Sequence, residues 1–184
     1  MRTDADKWDA KYRKHRDSAA DADPFLVKWS HMLRGGRGLD LACGRGGNSI
    51  YLARLGYWVD AVDISLQALR QLSVQAKDLN SSVGCVAADL DYWPIPVAAY
   101  DLVVVFYFFA PERTYDLAAS LRPGGLLFYV TYNVHHKSEQ PEFNEAYLVS
   151  HHGLAPYFGS LHIVLDEPIG GDSGNISSLI ARKP

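Results

Sequence analysis

A doubly wound, mostly parallel α/β sheet is the fold that three features of this sequence predict. Short apolar runs alternate with segments of helical spacing from Leu39 to Leu121. The first run leads through a turn containing Gly44, Gly46 and Gly47 into residues suited to a helix, and successive runs close on carboxylates, Asp63 and Asp89. Strand and helix in alternation argue for parallel strands joined by right-handed crossovers, with helices on both faces.

Residues 4 to 16 read as a short helix, with Asp4, Asp6 and Asp9 early and Lys11, Arg13, Lys14, His15 and Arg16 late, an order that suits the helix dipole. Trp8 and Tyr12 are four apart and share a face, which either docks this helix or covers a ligand. After Pro24, the residues Phe25, Leu26, Trp29, Met32 and Leu33 fall at helical spacing up to Gly35-Gly36. The first strand and glycine turn follow, then a helix carrying Ile50, Leu52, Ala53 and Leu55. The second strand, Tyr57 to Val62, ends on Asp63, and Ser65 caps a third helix with the stripe Leu66, Leu69, Leu72, Ala76 and Leu79. Val83 to Ala88 is the third strand. Asp91 to Ala99, with Trp93-Pro-Ile-Pro, is a connector.

Tyr100 to Phe109 is the most apolar run and reads as a central strand buried on both faces. Pro111 begins a helix through Leu117, Ala118 and Leu121, and Arg122-Pro-Gly-Gly turns it into the fifth strand, Leu126 to Tyr132. Asn133 to Asn144 is polar and reads as a mobile loop, and residues 146 to 158 as a helix. Leu161 to Leu165 and Ile176 to Ala181 are strands joined by Gly170-Gly-Asp-Ser-Gly174, which permits a long hairpin and an antiparallel edge.

The 184 residues fit one domain with a sizeable core, residues 1–23 forming an N-terminal helix and lid-like segment and 24–184 the core. A net charge of −3 gives no general drive toward nucleic acid. The longest apolar run is far short of the roughly 18 residues that span a bilayer, so no membrane partner is expected. The N-terminus carries acids and no apolar stretch, so the cytoplasm is the expected location. There the thiols stay reduced, which makes Cys43 and Cys85 small buried hydrophobes and leaves the acceptor patterns at Asn80 and Asn175 unglycosylated.

The glycine turn and the carboxylates carry the chemistry. Glycines let backbone approach a ligand, and a helix start offers N–H groups to an anionic part. Asp63 is placed to accept hydrogen bonds from two ribose hydroxyls, and Asp89 from the exocyclic amine of adenine. This is the layout of a nucleoside site, and dinucleotide enzymes share it. The frame Gly44, Gly46, Ser49 departs from the dinucleotide fingerprint at its third glycine. The chain also lacks room for the substrate domain that a dehydrogenase adds. An NAD(P)-binding oxidoreductase-like protein stays open as the alternative.

The stretches Asp40-Leu-Ala-Cys-Gly-Arg-Gly-Gly-Asn-Ser49, Val59-Asp-Ala-Val-Asp63, Ala88-Asp-Leu90, Tyr100-Asp-Leu-Val-Val-Val105 and Leu121-Arg-Pro-Gly-Gly125 resemble, in order, the motifs of class I S-adenosylmethionine-dependent methyltransferases. The resemblance runs from Trp8 to Arg182 and is nearest to the small tellurite-resistance-type enzymes, through the Cys-Gly-x-Gly-x-Asn-Ser turn and the ending Leu179-Ile-Ala-Arg-Lys183. It implies a Rossmann-like sheet of seven strands with an antiparallel C-terminal edge hairpin, and S-adenosylmethionine as cofactor. It implies that Gly44 and Gly46 turn beneath the methionine end, with Ala42 and Asn48 beside them, and that Asp40 helps hold the ammonium group. Asp63 would take the ribose and Asp89 with the Leu90 backbone the adenine, Ile64 would also contact the cofactor, and Val105 and Phe106 would face the methylene and sulfonium region.

The implied activity is methyl transfer to a small-molecule acceptor, a thiol, chalcogen or other small nucleophile, by in-line displacement. A non-catalytic S-adenosylmethionine-binding module is the other alternative. Tyr107, Tyr132, His135 and His136 fall at or just after the strand ends where the acceptor would sit, and Tyr12 is a further candidate for substrate contact. No residue announces itself as a general base. Gly171-Asp-Ser-Gly174 copies a fragment of serine proteases but reads fully as a turn. The pairs His135-His136 and His151-His152 diverge and lack metal-ligand spacing, so no metal is expected. Cys43 in the turn is read as packing and not as a nucleophile.

Overall fold

The computed structural model describes residues 2–14, 21–79, 82–169 and 174–184. His15 and Arg16 of the basic run, the pattern at Asn80 and Gly170 to Ser173 of the terminal turn lie outside the described residues. The chain forms two compact units, Met1–Pro94 and Ile95–Pro184.

In the first unit, α1 spans Arg2–Arg13. It is followed by α2, Pro24–Lys28, in which Asp23 caps the helix by accepting the Phe25 N–H at 2.8 Å. The single helix expected from Phe25 to Leu33 breaks at Trp29 and resumes as a 3₁₀ turn, Ser30–Met32. The Ser30 hydroxyl donates to the Val27 carbonyl at 2.8 Å, a local bond that competes with continuation of the helix. Then come β1 (Gly36–Leu41), α3 (Gly47–Arg54), β2 (Tyr57–Asp63), α4 (Leu66–Asp78) and β3 (Val83–Ala87). Gly36 thus opens β1 where it was expected to close a helix.

The three strands are parallel, in the order β3-β2-β1, with Asp40 opposite Ala61 and Asp63 opposite Ala87. Ile50 of α3, Ala61 of β2 and Leu69, Leu72 and Ala76 of α4 form the cluster against which Cys43 packs. Cys85 is exposed, contrary to its expected burial, because β3 is the outer strand of the three and has no covering neighbour on that side.

The second unit holds β4 (Tyr100–Phe106), a 3₁₀ turn (Pro111–Arg113), α5 (Thr114–Ser120), β5 (Leu121–Tyr132), β6 (His162–Ile169) and β7 (Ile176–Arg182). Its strands run β4-β5-β7-β6, β4 and β5 parallel and the last two pairings antiparallel. Together the units carry the seven strands of a Rossmann-like, mostly parallel α/β fold with an antiparallel C-terminal edge. β4 is buried along almost its whole length, as a central strand should be, but ends three residues early. Tyr107 takes φ 56°, which turns the backbone out of extended conformation.

Two expectations for the tail give way to the structure. The stretch after β5 is packed: Asn133 Oδ1 accepts the His135 N–H at 3.0 Å, a 3₁₀ turn covers Val134–Ser138, and His136 is buried. Residues 146 to 158 form no continuous helix but two 3₁₀ turns, Glu145–Tyr147 and Ala155–Phe158. Asp166 of β6 takes the Leu154 and Ala155 N–H groups at 3.3 and 2.9 Å, so two amides that a helix would use are bound to the sheet.

Candidate functional site

The first unit brings Asp63, Asp40 and Asp9 near one another around one glycine turn. β1 ends at Leu41, and Ala42 takes φ 59°, a left-handed conformation that costs an alanine about 1 kcal/mol. Gly44 and Gly46 also have positive φ, 53° and 78°. A Cβ on Gly44 would stand 2.7 Å from the Tyr12 hydroxyl, so α1 crosses bare backbone there. A Cβ on Gly46 would overlap Leu72 of α4, so that glycine is required by packing between turn and helix.

Asp63 ties this turn to the next one. Its Oδ2 accepts the Gly44 N–H at 2.7 Å and its Oδ1 accepts the Ser65 N–H at 2.8 Å. Burial raises its pKa, opposed by these backbone bonds and reinforced by the charge of Asp9. A carboxylate has about four acceptor positions, so each oxygen retains capacity for a ligand hydroxyl. Asp40, inside β1, is fully enclosed and accepts the Ser49 hydroxyl at 2.5 Å. Burial pushes its pKa up to about 7, the Ser49 bond working against the shift and the neighbouring Asp63 charge adding to it.

A third carboxylate escaped the sequence reading. Asp9 of α1 accepts the Ser65 hydroxyl at 2.6 Å and the Gln67 N–H at 3.0 Å, while Ser65 Oγ accepts the Ala68 N–H at 3.2 Å. The N-terminus of α4 is therefore capped twice, once from its own chain start and once by α1. Burial works to raise the Asp9 pKa, but the Ser65 and Gln67 bonds and the Arg13 charge outweigh it and hold the carboxyl below its ordinary value. Gln71 adds a bond to the Tyr12 carbonyl at 3.1 Å. The Tyr12 hydroxyl is driven upward in pKa by burial and then by Asp63. The spacing Trp8, Asp9, Tyr12 was the available signal, since i and i+3 share a helix face.

Of the other expected residues in this unit, Asn48 accepts the Asp23 N–H at 2.8 Å and so anchors the start of α2. Ile64 is half-buried between Asp63 and Ser65. Asp89 follows β3 and accepts the Asp91 N–H at 3.1 Å, closing a turn that buries Leu90. Tyr12 stands at the glycine turn.

In the second unit, Val105 and Phe106 are buried at the end of β4. The residue after them, Tyr107, is 45% exposed and its ring meets Tyr132 at 5.2 Å between centroids. Tyr132 stacks on His136 at 4.0 Å with 19° between planes, and Phe143 meets both rings edge-on at 5.4 and 4.9 Å. His135 lies edge-on to His151 at 5.1 Å. The structure thus brings Tyr107, Tyr132 and His136 into one ring cluster, with His135 turned to the exposed side. Burial raises the pKa of Tyr132, helped by Glu139.

Among the described residues there is no group of three or more side chains that could hold a metal ion, and no helix is long and apolar enough to cross a membrane.

Comparison with known proteins adds to this geometry. Residues 39–125 match the family model for a methyltransferase domain. A malonyl-[acyl-carrier protein] O-methyltransferase of Enterobacter lignolyticus is 30% identical over 125 residues, 65% of this chain and 48% of that protein. The chain spans less than half the length of the curated relatives it matches. TehB from Haemophilus influenzae superposes with a TM-score of 0.76 at 17% identity, covering 96% of this chain and 67% of TehB. A SAM dependent methyltransferase from Aquifex aeolicus does so with a TM-score of 0.70 at 16% identity, covering 95% and 98%. These likenesses are of fold.

Proposed function

We propose that the chain is a class I methyltransferase that transfers a methyl group from S-adenosylmethionine to a small-molecule acceptor, a reading supported by the match of residues 39–125 to a methyltransferase domain and by the fold shared with such enzymes. The observation that carries this reading is the turn at Gly44: backbone without a side chain, its N–H held by Asp63, and the Tyr12 hydroxyl of α1 lying 2.7 Å from where a Cβ would stand.

The residues fit the cofactor in kind. Asp63 would hold the ribose hydroxyls with the acceptor capacity left on its carboxylate. Asp40 would face the ammonium group, Asp89 and the Leu90 backbone the adenine with Ile64 against it, and Ala42, Gly44, Gly46 and Asn48 would shape the turn. Val105 and Phe106 would line the sulfonium end. The bound cofactor supplies a methyl group already activated on sulfonium, so the protein's part is to bind, orient and exclude water. Tyr12 and Trp8, held down by the Asp9 cap, would close α1 over the turn and keep water from it.

Support for a small acceptor comes from the adjoining rings of Tyr107, which is exposed, and Tyr132, which is half-buried, at the ends of β4 and β5. The similarity to an O-methyltransferase keeps oxygen among the acceptor atoms.

A calorimetric titration with S-adenosylhomocysteine, beside NADH and NADPH, tests the proposal. Micromolar binding of S-adenosylhomocysteine alone is expected. Binding of a nicotinamide cofactor in its place would replace this reading with that of an oxidoreductase, and binding with no methyl transfer to any thiol, phenol or chalcogenide would reduce it to a binding module.

A further inference from the structure

His136 is a buried histidine, 4% exposed, and neither of its ring nitrogens has a hydrogen-bond partner among the described residues. Buried polar atoms are nearly always paired, and an orphan needs a reason. Packing does not supply it, since a phenylalanine would make the same stack on Tyr132 without two unsatisfied nitrogens. The surroundings suggest a ligand. Tyr132 covers one face of the imidazole, Phe143 meets its edge, and Tyr107 extends the ring surface toward solvent from a backbone at φ 56°. Strained non-glycine backbone of this kind persists where the surroundings enforce it, often at functional sites. The Glu139 carboxylate stands 3.9 Å from His136 Nδ1.

We propose that Tyr107, Tyr132, Phe143 and His136 form the acceptor seat, and that it takes a small aromatic molecule bearing a hydroxyl or thiol. This deepens the methyltransferase reading and rests on it. The rings receive the flat apolar body by stacking or edge contact, and the imidazole receives the polar hydrogen. Phe143 follows the exposed stretch Glu139–Glu142 and swings aside to admit the ligand. A phenol or thiol is a weak nucleophile until deprotonated, so a base beside it has work to do. S-adenosylmethionine, when bound, would supply the methyl group, and the acceptor oxygen or sulfur would take that carbon while the electron pair of the carbon–sulfur bond was left on the donor sulfur. The acceptor's proton passes to a lone pair of His136 and then to solvent. Glu139 draws toward the resulting imidazolium and steadies it.

The test is an NMR titration of protein labelled with ¹³C-histidine, using phenol and thiophenol as probes with S-adenosylhomocysteine present. Saturable shifts of the His136 ring signals with either probe are expected, and the tighter probe identifies the acceptor atom. His136→Phe should weaken the probe at least tenfold, leave S-adenosylhomocysteine affinity within twofold, and melt at the same temperature or higher. Absence of His136 shifts with both probes, equal probe binding by His136→Phe, or a lower melting temperature would overturn the proposal, the last by showing that the nitrogens serve the fold. Failure of S-adenosylhomocysteine to bind the unmodified protein would instead strike the methyltransferase reading.

Discussion

The turn after β1 and the strand ends of β4 and β5 are built from opposite materials. Around Gly44 the side chains are short and acidic, and the described oxygens of Asp63, Asp40 and Asp9 already hold N–H or O–H groups. Around Tyr132 the side chains are rings, and the buried polar atoms of His136 hold nothing among the described residues. The first region is rigid by hydrogen bonding, in a shape fixed before any ligand arrives. The second is packed by dispersion and ring contact, which tolerate sliding, and its polar capacity is unspent. A site that must present one cofactor in one geometry gains from the former, and a site that must admit and release an acceptor gains from the latter.

That contrast can be broken at its rigid end first. Gly46→Val puts a branched side chain into Leu72 at a left-handed position, so a loss of about 3–5 kcal/mol in urea unfolding is expected from overpacking and backbone strain together. A loss below about 1 kcal/mol would mean that turn and α4 are loosely joined.

Asp40 sharpens the comparison through pH. Its folded pKa, about 7, lies above the unfolded value, so the folded state binds the extra proton. Its contribution to stability is complete below the unfolded pKa near 4 and is lost as pH rises through about 7. Urea midpoints should therefore fall between pH 5 and pH 8, and Asp40→Asn should flatten that part of the curve. An unchanged slope in the variant would assign the effect elsewhere.

Asp9→Ala comes next in size. Removing one of two caps on α4 should cost about 1 kcal/mol of stability, and α1 should become more open to protease because its tie to Ser65 and Gln67 is gone. Equal cleavage rates would show that Tyr12 and Trp8 alone dock the helix.

How much of this was legible beforehand follows the same division. The glycine turn, the acids at the strand ends, the Ser65 cap and the antiparallel hairpin could be read because each is a local pattern with a local cause. For Asp9 the spacing could place it on the face shared with Tyr12 but not name its partner, since only the fold brings 9 and 65 together. The supposed helix at 146 to 158 had the right spacing, yet Asp166, from a strand further along, took its amides. Cys85 looked like core because β3 is apolar, and only the strand order shows that it lies at an edge. The ring stack of Tyr132, His136 and Phe143 was hidden in a polar stretch that composition marks as loop.

The central claim is that Asp63 and the Gly44 turn seat the cofactor, and the most direct measurement is a calorimetric titration of Asp63→Asn with S-adenosylhomocysteine beside the unmodified protein. Asparagine keeps one acceptor and loses the charge, so binding should weaken by about 1–3 kcal/mol while the circular dichroism spectrum is retained. Unchanged affinity in a folded variant would contradict the account and move the cofactor away from this carboxylate.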